Sequence, residues 1–359
     1  MLEMDDISAA LAGFPETRTS AWAIRPHGAG RIHGSWAVRS AEAPPGSEPS
    51  YLLQQLNLAV FPDYELLMRN AVTISRHIST PLEFVPGEGD ADFVRDGEGR
   101  VFRLLRFVPN SVPAGIPPSL PEAREAAIAF GEFDAALASL DPSRIAPTIP
   151  GFHDTPARYR RLLASAKVAP DDLRDTARRD LAWFAERAGA VGFVADNLGS
   201  DELPLRVCHN DTKADNVLLD RDTRRRLCVV DYDTVMPGSP LYDVGDLLRS
   251  AAPTVGEDDP DPSAVDVRWD AATTIVDGFT EGAGPVLTPR ERELATASGW
   301  LFAMEQGIRY LTDYLEGEHY YPVDYAGQSL DRARNQVALA VAFERGGWAP
   351  PLTGRRTPR

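Results

Sequence analysis

An α+β protein in two lobes, a small β-rich one followed by a larger, mainly helical one, is what this sequence predicts. Three observations predict it. The chain has 359 residues, well beyond the size of one small domain. Its first third holds short β-prone runs with turns between them, and helical periodicity takes over after a proline-rich stretch that begins at Pro109. The boundary is therefore set to give lobes over residues 1–108 and 109–359.

In the first lobe, residues 35–38, 51–56 and 101–108 are β-prone, and residues 41–50 and 86–99 are rich in Pro, Gly and acids, the composition of turns. Such a pattern predicts a mainly antiparallel sheet. Beyond Pro121, residues 122–140 place Ile128, Phe133, Leu137 and Leu140 near a 3.6-residue period, and residues 171–189 repeat it with Leu173, Ala177, Leu181 and Phe184. Helices are also predicted over 291–316, stopping at Gly317, and over 330–344, stopping at Gly346 and Gly347. Between them, residues 217–219 and 227–230 are β-prone runs joined by the charged turn 220–226, a hairpin expected on the surface of the helical lobe. Residues 253–263 read as a surface loop and the basic tail 355–359 as disordered.

The net charge of −16 disfavours nucleic acid and anionic membrane as partners. Cys208 and Cys228 lie in apolar runs and read as reduced, buried thiols. The acidic start Met1-Leu2-Glu3-Met4-Asp5-Asp6 is unlike a secretory signal, and no apolar run approaches the ~20 residues of a membrane span, so the expected location is the cytoplasm. No heptad or self-complementary face reports on oligomeric state.

The chemistry concentrates at the ends of the central β-prone runs. Asn216 follows Asp211 by five positions across a polar loop, and Asp231 closes the second arm of the hairpin, which is expected to bring it beside Asn216. A carboxylate and an amide oxygen suit Mg2+, a hard cation that takes few protein ligands and completes its shell with water and phosphate oxygens. Asp211 then suits an acceptor hydroxyl, whose proton it takes. His209 reads as a support for the loop.

His209-Asn210-Asp211-Thr212-Lys213-Ala214-Asp215-Asn216 resembles the His-x-Asp-x-x-x-x-Asn motif of the aminoglycoside phosphotransferase and choline kinase superfamily, and Val230-Asp231-Tyr232-Asp233 resembles its metal-binding segment. Within it, the runs 209–218, 231–246 and 307–315 resemble the N-acetylhexosamine 1-kinase family over about residues 26–340. The resemblance implies a protein-kinase-like two-lobed fold that uses ATP and Mg2+. Asp211 would be the base, Asn216 and Asp231 the magnesium ligands, Asp233 a supporting acid, and Lys213 a nucleotide-side contact. The acceptor would be the C1 hydroxyl of N-acetylglucosamine or N-acetylgalactosamine. Two other readings stand beside it: the same enzyme class acting on another sugar, an amino alcohol or an aminoglycoside, and a pseudokinase or small-molecule binding protein.

Around this centre, Gly28, Gly30 and Arg31 lie in a glycine-rich segment suited to covering phosphates. Many superfamily members follow it with a strand Lys or Arg that pairs with the ATP phosphates. This chain has Gln54 instead, a hydrogen-bond donor without charge, which leaves Arg31, Arg69, magnesium or another group as candidates to compensate. The hinge is expected within 106–110, with Phe107 beside adenine. Arg309 and Tyr320 are the first candidates for the sugar, with Asp313 and Tyr314 behind them and His33 approaching from the glycine-rich side. Arg309 also stands four residues after Glu305, the spacing of a helix-surface ion pair.

Overall fold

The computed structural model describes residues 3–28 and 32–351, so Gly30, Arg31 and the tail 355–359 lie outside the described residues. The chain forms two compact units, the first made of Met1–Val112, Ile145–Ile149 and Leu218–Val235, the second of Pro113–Arg144, Pro150–Val217 and Met236–Arg359.

The first unit opens with α1 (Met4–Ala12) and continues through β1 (Trp22–Pro26), β2 (Gly34–Ser40), β3 (Tyr51–Gln55), α2 (Tyr64–His77), β4 (Phe84–Val85), β5 (Val94–Arg95) and β6 (Val101–Arg106). Its antiparallel sheet runs β1-β2-β3-β6-β4, with β5 added to β6. Val38, Leu53, Phe102 and Leu104 pack with Ile7, Leu11 and Phe14, while Val101 joins a second cluster with Leu67, Met68 and Val72 of α2. Because β6 is buried on both sides it reads as a continuous apolar run rather than an alternating one. Arg103 is the exception within it. Neither α1 nor α2 is predicted from the sequence. The cap that starts α2, Asp63 accepting from the Leu66 N–H at 2.9 Å, is a local signal for it.

Next come β7 (Ser111–Pro113), α3 (Leu120–Leu137), α4 (Thr155–Val168), α5 (Asp171–Thr176), α6 (Arg178–Arg187), β8 (Arg206–Cys208), β9 (Val217–Asp220), β10 (Arg226–Val229) and β11 (Met236–Gly238). Then follow α7 (Pro240–Ala251), α8 (Trp269–Ala283), α9 (Pro289–Leu315) and α10 (Gln328–Arg345). The helix expected over 171–189 is two helices, separated at Ala177, which is fully buried and takes φ −85°, ψ 0°. The β9–β10 hairpin is present, but residues 218–235 cluster with the first unit rather than with the helices. Asn110, at φ 51°, explains the attachment: its carbonyl accepts from the Arg221 N–H at 2.8 Å and its amide donates to Asp220 and Asp222, each at 3.0 Å.

In the second unit α3 and α9 each begin with a capping box, Ser119 with Glu122 and Thr288 with Glu291. Helices α3 and α8 approach closely through Gly131, Gly278 and Gly282: a Cβ at Gly131 would fall on the Phe279 carbonyl, and one at Gly282 on the Ile128 carbonyl. Both cysteines are buried and free. Among the described residues no helix is long and apolar enough to cross a membrane.

The α3–α8 contact leads to a stability prediction. Gly131→Val places side-chain carbons where α8 backbone already stands, and is expected to cost about 1–3 kcal/mol by overpacking. Urea unfolding checks it, and an unchanged midpoint would show that the helices separate at no cost.

Candidate active site

The polar loop that carries Asp211 is built in the second unit. Strand β8 pairs antiparallel with β11, Cys208 opposite Met236, and the chain leaves β8 directly into His209. Asn210 takes a left-handed conformation, φ 64°, and its amide donates to the carbonyls of Cys208 at 2.9 Å and Met236 at 3.1 Å. Gly238 is required beside it, since a Cβ there would strike the Asn210 side chain. Asp243, in the first turn of α7, accepts the backbone N–H groups of His209 at 2.8 Å and Asn210 at 2.7 Å, and its own carbonyl accepts from the Thr212 hydroxyl at 2.5 Å. Phe130 and Phe133 pack edge-on against the His209 ring. His209 Nδ1 accepts the Asp211 N–H at 3.3 Å, which agrees with a supporting role for this histidine.

Asp211 stands at the mouth of this arrangement with 23% of its side chain exposed, its carboxylate 3.0 Å from the Lys213 ammonium. Burial acts to raise its pKa, but Lys213, followed by His209 and Arg249, outweighs burial and holds it below the ordinary range. An ionised carboxylate at neutral pH is the result, able to accept a hydrogen bond from a hydroxyl. Lys213 is raised in turn, chiefly by Asp211.

Asn216 ends the short turn Ala214–Asn216, and its Nδ2 donates to the Asp211 carbonyl at 2.9 Å. The remaining amide oxygen is an acceptor of the kind a hard cation takes. An amide oxygen at Asn216 and a carboxylate at Asp231 are donor types that suit magnesium rather than a softer metal.

Asp231 belongs to the first unit, where it takes a left-handed conformation, φ 65°, ahead of the turn Tyr232–Thr234. The turn is clamped at Asp233. Both guanidinium nitrogens at the tip of Arg103 donate to the Asp233 carboxylate, one of them at 2.9 Å, and His33 Nε2 lies 2.6 Å from it. The backbone N–H of Asn57 donates to His33 Nδ1 at 3.0 Å, so His33 uses its other nitrogen as the donor to Asp233. Thr148 donates to the Asp233 carbonyl at 2.8 Å. Burial raises the Asp233 carboxyl, but Arg103 and His33 outweigh burial and keep it well below the usual carboxylate range.

Arg103 also meets Gln54 across the sheet. The two residues are directly opposite in the β3–β6 register, and Arg103 Nε donates to the Gln54 amide oxygen at 2.9 Å. Gln54 in turn donates to Ser35, opposite it on β2, at 3.2 Å. Of the compensating groups considered from sequence, Arg31 lies outside the described residues and Arg69 is an exposed residue of α2. Arg103 is visible in the sequence as a charge between Phe102 and Leu104 in the interior of a strand whose other charge, Arg106, stands at its end, a position that demands a buried partner. Elsewhere in this unit Gly28 takes φ 73°, and the Phe107 ring packs edge-on against His27 while its N–H donates to the Ser50 carbonyl at 3.0 Å.

Elsewhere in the second unit, Arg309 lies on α9 with its guanidinium over the rings of Phe152, at 5.4 Å, and Tyr321, at 5.8 Å. It stands 4.0 Å from Glu305, too long for a strong ion pair. Glu305 is held instead by His153 at 2.9 Å and Thr155 at 2.7 Å. Burial raises Glu305, but His153, Arg158 and Arg309 bring it down to about 2. His153 donates through Nε2 to the Asn210 carbonyl at 2.9 Å, joining this cluster to the Asp211 loop. Tyr320 is 65% exposed and packs edge-on against Tyr321. Asp313 accepts the Tyr320 N–H at 2.8 Å and the Ser329 hydroxyl at 2.9 Å, which makes it a loop support, and Tyr314 is buried. Sequence reasoning missed His153, Glu305 and Arg103, each a polar residue whose partner is distant in the chain.

Comparison with known proteins places the chain by family and fold. The profile of the family described as "Phosphotransferase enzyme family" matches residues 90–284. A spectinomycin phosphotransferase solved with ADP and spectinomycin superposes with a TM-score of 0.62 at 13% identity, over 96% of this chain and 99% of that one. The GDP complex of aminoglycoside 2'-phosphotransferase-IIIa superposes with a TM-score of 0.59 at 12% identity, over 94% and 99%. Choline kinase from Cryptosporidium parvum Iowa II gives 0.57 at 9% identity, over 97% and 98%. At these identities the likeness is one of fold: two lobes, a small β-rich one and a larger helical one.

The Arg103–Asp233 pair yields a measurable expectation. Arg103→Leu strands a buried carboxylate and is expected to cost about 3–5 kcal/mol at neutral pH. Because the Asp233 pKa is depressed in the folded chain, its contribution is full above the unfolded value of about 3.9 and fades as pH falls through the folded value. Urea unfolding of both proteins across pH checks this; a difference that does not narrow in acid would assign the loss to packing instead.

Proposed function

We propose, from the premise that this chain belongs to the phosphotransferase enzyme family, that it transfers the γ-phosphoryl group of ATP to a hydroxyl of a small organic acceptor. The observation that carries this reading is the pinned loop 209–213, which presents an ionised Asp211 on a backbone held by Asp243. In this role Asp211 accepts a hydrogen bond from the acceptor hydroxyl, orients it and takes its proton as the bond to phosphorus forms. Magnesium, for which Asn216 and Asp231 are the proposed ligands, supplies neutralisation of phosphate charge when bound. Gly28, Gly30, Arg31, Gln54, Phe107 and Lys213 are the proposed nucleotide-side residues. Arg103 and His33 act on that side through Asp233.

For the acceptor, the solved relatives are named for spectinomycin, aminoglycosides and choline. They support an acceptor class of hydroxyl-bearing sugars, amino alcohols and aminoglycosides. The C1 hydroxyl of N-acetylglucosamine or N-acetylgalactosamine is the narrower candidate. It is supported by the resemblance of residues 209–246 and 307–315, and by Arg309, a planar donor set among aromatic rings as neutral sugar recognition requires. Tyr320 is its proposed companion at the sugar.

An acceptor panel with ATP and Mg2+, read by phosphorus NMR of the product, tests the reading directly. A sugar 1-phosphate from N-acetylhexosamine supports the narrow form; product from another acceptor alone supports the broader class; no product from any member leaves a nucleotide-binding protein. Asp211→Asn is expected to lower kcat by about 10²–10⁴-fold with nucleotide affinity unchanged, as for loss of a positioned base. Unaltered turnover would remove Asp211 from its role.

A further inference from the structure

The carboxylate that pins the Asp211 loop has a second neighbour, which the proposed reaction does not use. Asp134, near the end of α3, is 2% exposed, and no N–H or O–H donor among the described residues meets either of its oxygens. What it reaches is another acid: a carboxylate oxygen of Asp134, one of Asp243 and the Cys208 Sγ all lie within 4.8 Å of one another. Two ionised carboxylates placed this way repel strongly where no solvent screens them. The nearby cation is committed elsewhere, since Arg206 pairs with Glu291 and donates to the Val286 carbonyl at 2.8 Å.

A single proton resolves the conflict, and the hydrogen bonds say where it sits. Asp243 accepts one backbone N–H on each oxygen, from His209 and Asn210, as an ionised carboxylate does. Asp134 accepts none. We propose that Asp134 is a positioning residue: its neutral carboxyl donates an O–H hydrogen bond to Asp243 and so fixes the carboxylate that holds the backbone ahead of Asp211. The catalytic value of this bond rests on the function proposed above; the bond itself does not.

The surroundings agree. Burial first, and then the Asp243 charge, push the Asp134 carboxyl well above its ordinary range; Arg206 opposes and Glu291 reinforces the shift. The groups facing the pair are Arg206 and Cys208 from β8, His209 from the loop, and Glu291 from α9, with the Cys208 thiol driven up, mainly by burial. Folded Asp134 therefore keeps a proton that the unfolded residue loses near its ordinary pKa of about 3.9. Its contribution to stability falls as pH rises above that value, towards the folded one.

The test compares the natural protein with Asp134→Asn, which keeps a neutral donor of the same shape, and Asp134→Leu, which has none. Infrared spectra of protein carrying carbon-13 aspartate should show a protonated-carboxyl band at neutral pH, shifted by the label and absent in D134N. That measurement needs no enzymatic activity, and a missing band in the natural protein overturns the proposal even if neither variant folds. The melting temperature of D134N should fall less steeply with rising pH than that of the natural protein; equal slopes overturn it. If the phosphotransferase reading holds, D134L should lose roughly tenfold to a hundredfold in kcat, the scale of a misplaced reacting group. D134N should restore kcat, with KM for ATP little changed in both. A divalent ion found in stoichiometric amount and removed by EDTA with a drop in melting temperature would place a metal among Asp134, Cys208 and Asp243, and overturn it.

Discussion

Asp243 holds the loop 209–212 in place, and it does so with both ends of one residue. Its side chain takes the N–H groups of His209 and Asn210, and its backbone carbonyl takes the hydroxyl of Thr212. The residue sits in the first turn of α7, where the helix dipole favours negative charge and the Ser239 cap has already fixed the chain direction. Asn210 is thereby held in a left-handed conformation that an isolated asparagine visits at some cost. Asp211 inherits its direction from that strain, so its orientation is set before any ligand arrives.

Buried acids are balanced here in two different ways. In the first unit Asp233 is met by a guanidinium and an imidazole, and it stays ionised. In the second, Asp134 is met by another acid, and only a proton reconciles the two. The consequences oppose each other: the first arrangement is weakened in acid, the second as pH rises. Arg103, directly across the sheet from Gln54, belongs to the first arrangement: its tip meets Asp233 while its Nε donates to the Gln54 amide oxygen.

Much of this was legible in the sequence wherever the signal was local. The strands at 35–38, 51–56 and 101–108 and the long helices of the C-terminal half follow from periodicity, and they are present as β2, β3, β6, α3, α9 and α10. The Asp211 loop was legible as a motif. Less legible were α1 and α2, because a short amphipathic helix in a strand-rich region leaves only a cap such as Asp63 to announce it. The placement of the β9–β10 hairpin depended on bonds between Asn110 and the turn at 220–222, residues far apart in the chain. Arg103, Glu305, His153 and Asp134 share that difficulty: each is a buried polar residue whose neighbours are far away in the chain, which the sequence does not name.

Those partners also join two clusters of the second unit. His153 touches Glu305 with one nitrogen and the Asn210 carbonyl with the other, so the α9 cluster that carries Arg309 and the loop that carries Asp211 share one imidazole. Glu305 is buried and satisfied by groups from α4 and the segment before it, which makes it a fixed post rather than a free contact. Arg309 is left to lie against Phe152 and Tyr321 because its nominal ion-pair partner is already taken. A change at Glu305 or His153 therefore reaches the backbone on which Asp211 rides, whereas Tyr320 is exposed.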